Sequence, residues 1–172
     1  MTLIDCLYED DRWQDIDLDT LAETAGLATL AHLSLDPDGF EICVMGCDDA
    51  RIAELNTEFR DKPTPTNVLS WPAEDLAPED EGARPHAPSP PDFPGPVELG
   101  DIAISFDTCT REAESARLPF ADHVSHLVVH GILHLLGYDH IRDGDAELME
   151  EIEVEILGKL GIPDPYNQIP GT

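Results

Sequence analysis

Lysine is almost missing from this chain. Of its 172 residues only Lys62 and Lys159 are lysines, and nine lysines and arginines together face 37 acidic residues, a formal net charge of −28. So negative a surface repels polyanions at long range, which argues on composition against nucleic acid as a partner. Solubility or a salty cytoplasm would account for it equally well. Paired cysteines are missing too: Cys6, Cys43, Cys47 and Cys109 form no C-x-x-C and no disulfide framework. Cys43 and Cys47, flanking Val-Met-Gly, read as core thiols rather than ligands. No basic region followed by an apolar run stands at the start, so no signal peptide is expected. The longest apolar stretch falls short of a membrane span. A reduced, cytoplasmic protein with no membrane partner and no DNA partner is the expectation.

What the chain does have is histidine in a pattern. Residues 130–140 read H-G-I-L-H-L-L-G-Y-D-H. On a helix, His130 and His134 stand one turn apart, about 6 Å along the axis and on one face. Gly137 suits the left-handed conformation that ends a helix, and the returning chain brings His140 over the same face. Three imidazoles leave one tetrahedral position open, the mark of a catalytic rather than a structural zinc. A lone i, i+4 pair would more often be an ordinary helix face. Three histidines with this glycine on an apolar segment are much harder to explain so, because buried imidazoles need partners.

The spacing is shared with the metzincin proteases, H-E-x-x-H-x-x-G-x-x-H. Their general base follows the first histidine, where this chain has Gly131. The ligand pattern is kept and the peptidase chemistry is not.

Around the motif the chain reads as a mixture. Strands are predicted at residues 2–8, 40–45, 67–71 and 102–106. An acidic loop follows the first strand. Helices are predicted at 20–33, opened by a Thr20-x-x-Glu23 capping box, at 49–59, from 107, at 120–136 and at 145–160. The helix at 120–136 is apolar nearly all round, as a central buried helix is. In the last helix Leu148, Ile152, Ile156 and Leu160 face inward, and Glu150, Glu151 and Glu155 form a solvated face. Seven prolines among residues 74–97 predict an exposed, mobile loop with nothing to pack in a core. The expectation is an α/β (α+β-like) chain, 1–172 as a single domain. A small mixed sheet of about four strands packs with about five helices around the metal-bearing helix, whose C-terminal end carries the site.

Two further segments join the histidines: L-N-T-E-F-R-D-K-P-T-P-T-N-V-L-S-W-P at 55–72 and L-G-D-I at 99–102. In this order, from about residue 40 to the Pro-Tyr at 165 and 166, the chain closely resembles the bacterial YbeY family. Its members are single-domain, metal-dependent endoribonucleases associated with ribosomal RNA maturation and ribosome quality control. The resemblance implies His130, His134 and His140 as metal ligands and Arg60 as the functionally important arginine. Two features depart from the family pattern: Trp71 stands where phenylalanine is common, and the proline-rich loop is longer.

The residues support Arg60 independently. Arg60 and Lys62 are one of the few local concentrations of positive charge, and a guanidinium clamps phosphate in a bidentate fork. An ordinary surface arginine would pair with Glu58 or Asp61 instead. The expected reaction is hydrolysis of single-stranded RNA, ribosomal RNA above all, at a Zn2+ ion that lowers the pKa of its water. Ribosome components are expected partners. No side chain is an obvious general base, and the RNA 2′-hydroxyl could itself be the nucleophile. Asp139 either orients an imidazole or solvates the helix end. His126, one turn before His130, supports the ligands or simply packs. His123 is expected at the surface, and Asp101 is as much a turn residue as a functional one. Arg51 and Arg142 are candidates to widen the basic patch. The rivals are a non-catalytic metal-binding ribosome assembly factor and, disfavoured by Gly131, a zinc peptidase.

Overall fold

The computed structural model describes residues 3–88 and 95–165. The Tyr of the Pro-Tyr pair and part of the proline-rich segment lie outside them. A four-stranded sheet runs in the order β1-β2-β4-β3. Strands β1 (Ile4–Tyr8), β2 (Phe40–Cys47) and β4 (Val97–Ser105) are parallel, and β3 (Val68–Pro72) lies antiparallel on the edge beside β4. The helices are α1 (Arg12–Asp15), α2 (Leu18–His32), α3 (Asp49–Arg60), α4 (Phe106–Ala116), α5 (Phe120–Leu135) and α6 (Asp143–Lys159). That is six rather than five. The additional one, α1, falls in the expected acidic loop, where Trp13 is fully buried and its indole N–H donates to the Cys47 carbonyl at 2.9 Å.

The sheet is lined by period-two alternation. Ile42, Val44, Ile102 and Ile104 face the larger core, shared with α2, α5 and α6. Cys47, Leu69 and Ala103 face the other way, against Ile52 and Leu55 of α3. Helix α5 is buried on most of its circumference, through Val124, Leu127, Val128, Val129, Ile132, Leu133 and Leu135. It touches α2, α4, α6, β3 and β4, so a residue on it is held from several sides. Among the described residues no helix is long and apolar enough to cross a membrane.

Three local expectations are corrected. Strand β4 begins at Val97, not near 102, because Gly100 sits within it at φ +143°. The register against β2 slips there, pairing Glu41 with Glu98 and Ile42 with Gly100. What reads as a turn is a bulge. Helix α2 is capped by Asp17, whose carboxylate takes the Thr20 hydroxyl at 2.8 Å. Glu23 instead accepts the Leu3 and Ile4 amides at 3.1 and 2.8 Å, pinning the start of β1. And the first part of the proline-rich segment does pack. Leu76 is 4 % exposed, and residues 76–86 lie along the chain that follows α5.

Candidate metal centre

Helix α5 stops where its glycine allows. The Tyr138 amide donates to the Leu133 carbonyl at 3.0 Å and the Gly137 amide to His134 at 3.1 Å, with Gly137 at φ +99°. This is the glycine-terminated Schellman ending. It folds the chain back so that His140 faces the last turns of the helix. The His130, His134 and His140 rings converge, with centroids 4.5 to 5.3 Å apart, and one nitrogen of each lies within 4.8 Å of the others. His130 and His134 approach through their Nε2 atoms at 3.0 Å. Burial, then repulsion from His130 and His140, push His134 down to about 4, which favours its neutral form at physiological pH. Three ring nitrogens gathered at this distance could hold a metal ion.

Behind the cluster lies a residue that the sequence reading missed. Glu153 of α6 is 0 % exposed, and its two oxygens reach His126 Nε2 at 3.1 Å and His130 Nδ1 at 2.5 Å. The signal was there: Met149, Glu153 and Leu157 recur every four residues on the buried stripe of α6. A carboxylate on such a stripe needs partners.

In front of the cluster is a cleft of about 550 Å³. Arg60, Asn67, Ser70 and the three histidines line it, as do the acidic Glu74, Asp75 and Asp139. Arg60 is the last residue of α3, and the chain leaves that helix through Asp61 at φ +54°. The buried Asn56 amide holds the following loop by donating to the Thr64 carbonyl at 2.9 Å. Among the described lining residues Arg60 is the one arginine or lysine. The floor is closed at Gly131, where an added Cβ would meet the Ile102 side chain at 3.1 Å. The position that carries the base in metzincins thus packs against the sheet.

The returning loop is held by the 76–86 segment. Arg142 donates to the carbonyls of Glu79 and Pro78 at 3.0 and 3.1 Å and pairs with Asp145 at 2.5 Å. The Gly82 amide and Arg142 keep the Asp145 carboxyl below its usual range.

The chain matches the model of a family described as Endoribonuclease YbeY over residues 5–161. It belongs to the YbeY family. Relatives named Endoribonuclease YbeY include those of Ruegeria pomeroyi, 65 % identical over 96 % of this chain and 98 % of the relative, and Jannaschia sp., 56 % identical over 95 % and 99 %. The solution structure of TM1509 from Thermotoga maritima is similar at a TM-score of 0.54, covering 98 % of this chain and 99 % of that one. At 22 % identity that likeness bears on the fold alone.

Within this YbeY chain the expected residues are only partly gathered. His130, His134, His140 and Arg60 share the cleft. His126 stands behind it on Glu153. Asp139 lines the cleft, and its carboxylate accepts the His140 backbone amide at 2.7 Å. Lys62 is exposed and outside the cleft lining. The wider basic patch does not form. Arg51 lies on the other face of the sheet, paired with Glu9 at 2.9 Å and Glu54 at 3.2 Å, while Arg142 is committed to the loop. Asp101 also lies on that far face, inside β4. His123 is not at the surface; its side chain is 12 % exposed and bonded to Glu112 at 3.0 Å. Cys43 is half-buried on the far face, whereas Cys47 is buried.

Proposed function

We propose that this protein is a zinc-dependent endoribonuclease that cuts single-stranded RNA. On this reading it acts on ribosomal RNA in late small-subunit maturation and in ribosome quality control, in the bacterial cytoplasm and beside ribosomal components. The observation that carries the reading is the sharing of one cleft by three converging imidazoles and Arg60, in a chain whose relatives are named endoribonucleases. The whole chain, 1–172, is read as a single domain built on α5.

His130, His134 and His140 are the residues that would hold the ion. When bound, a divalent ion supplies Lewis acidity at a phosphoryl oxygen and a water of lowered pKa. Arg60 grips the scissile phosphate and offsets charge that grows on it in the transition state. Lys62, two residues further and exposed, meets a flanking phosphate outside the cleft. Asp139 fixes the backbone at His140, and His126 steadies the far side of Glu153. At Gly131 the chain has no side chain to act as a peptidase base, and an added one would press on Ile102.

The test is metal analysis of the purified protein beside cleavage of a single-stranded RNA with and without chelator. One equivalent of zinc and cleavage that disappears with chelator are expected. Bound zinc with no cleavage would turn the reading to a non-catalytic assembly factor.

A further inference from the structure

We infer that Glu153 is a positioning residue for the metal centre: its buried carboxylate sets the tautomer and ring orientation of His130. The inference rests on the reading of His130 as a metal ligand.

His130 has partners on both ring nitrogens, Glu153 on the Nδ1 side at 2.5 Å and His134 Nε2 on the Nε2 side at 3.0 Å. An ionised carboxylate only accepts hydrogen bonds, and a neutral imidazole carries one N–H. With Glu153 as the acceptor, the proton of His130 sits on Nδ1 and Nε2 faces the histidine cluster. The other Glu153 oxygen takes His126 Nε2 at 3.1 Å. Both of its oxygens are engaged and it is 0 % exposed, so the carboxylate is held between the two rings. Its position is equally fixed, since its neighbours Ile152, Ile156 and Leu157 are in the core. Helix α6 thus carries an acidic group to the back of a ring whose front faces His134 in the histidine cluster. A carboxylate placed so raises the basicity of the imidazole and holds its plane. Asp139, nearer in sequence, is bonded to the His140 backbone instead.

A structural role, in which Glu153 merely ties α6 to α5, would leave the tautomer and the metal affinity alone. The test is therefore zinc titration of the wild type and of Glu153→Gln, which keeps the size of the side chain, with folding followed by circular dichroism. Zinc affinity is expected to fall about 10- to 100-fold in the variant. Retention within about twofold in a folded variant would overturn the inference. Nitrogen-15 NMR of the His130 ring in the wild-type apoprotein serves even if Glu153→Gln does not fold. A proton on Nδ1 is expected, and one on Nε2 would overturn the proposal. A wild type that binds no zinc would remove the proposed function and this inference together, whereas zinc-binding wild type with an unaffected variant removes only the inference.

Discussion

A Cβ on Gly137 would stand 2.7 Å from both the carbonyl carbon and oxygen of Leu76. The turn that ends α5 and the segment after β3 are moulded to one another, and backbone is not easily displaced. Gly137 is also at φ +99°, a conformation that side chains resist. Gly137→Ala should therefore destabilise the fold by more than about 1 kcal/mol, whereas the same change at a compatible site stabilises. Because His140 follows three residues later, zinc affinity should fall as well. Urea denaturation and zinc titration check both; a variant as stable as wild type would mean that Leu76 is free to move away.

Two substitutions separate holding the ion from using it. His134→Ala should yield a folded protein that loses zinc and RNA cleavage together. Arg60→Glu should keep zinc and lose cleavage by a factor of about 100 or more, the scale for a lost transition-state donor. Arg60 ends α3 at the surface, so its change should leave the core intact. Metal analysis, thermal melting and cleavage of one RNA by each variant decide this. Unchanged cleavage by Arg60→Glu would remove that residue from the mechanism.

The convergence of the three histidines was legible in the sequence because it is local. One helix, one glycine and eleven residues contain it, and the helix-ending geometry follows from the chain itself. Arg60 was legible only by its scarcity among acids and by the likeness of residues 55–72 to a family. Glu153 was not found, since α6 carries Glu147, Glu150, Glu151, Glu153 and Glu155 and only its place on the stripe of Met149 and Leu157 sets the buried one apart. The same reason hid the role of residues 76–86. Proline and acid predict exposure, yet Leu76 is buried and the Glu81 side chain accepts the Gly144 amide at 2.9 Å. Composition describes an average of such a segment and misses the few residues that anchor it. Glu23 shows a different failure: the local capping pattern was outbid by two strand amides that needed an acceptor.

The position of α3, and with it Arg60, depends on Asp49. Its carboxylate accepts the hydroxyls of Ser105 and Thr108, both at 2.6 Å, and the Arg111 guanidinium at 2.8 Å. Burial opposes its ionisation, but Ser105, Thr108 and Arg111 together hold the carboxyl below its usual range. A carboxyl depressed in the folded state stabilises it above the unfolded value, about 3.9. That contribution is lost as pH falls through the lower folded value. Asp49→Asn should then cost about 1–2 kcal/mol at pH 7, within the range for hydrogen bonds to a partly exposed charge. The gap between variant and wild type should narrow below pH 4. Urea denaturation at neutral and acid pH measures both, and a gap that does not change with pH would exclude the charge of Asp49 as its source.

The net charge of −28 sets the salt response of RNA binding. With Arg60 as the one arginine or lysine among the described cleft-lining residues, few counterions are released from the RNA. Each phosphate contact contributes about −0.7 to the slope of log affinity against log salt on a single strand. One or two contacts give a slope of about −1. Added salt also screens the repulsion between RNA and the acidic surface, including Glu74 and Asp75 at the cleft, and that works in the opposite direction. Binding of a short single-stranded RNA to the chelator-treated protein, followed by fluorescence anisotropy across a salt series, should therefore change little. A steep loss of affinity would mean that the RNA meets more cations than this cleft presents, and that its path runs over a surface other than the one in front of the histidines.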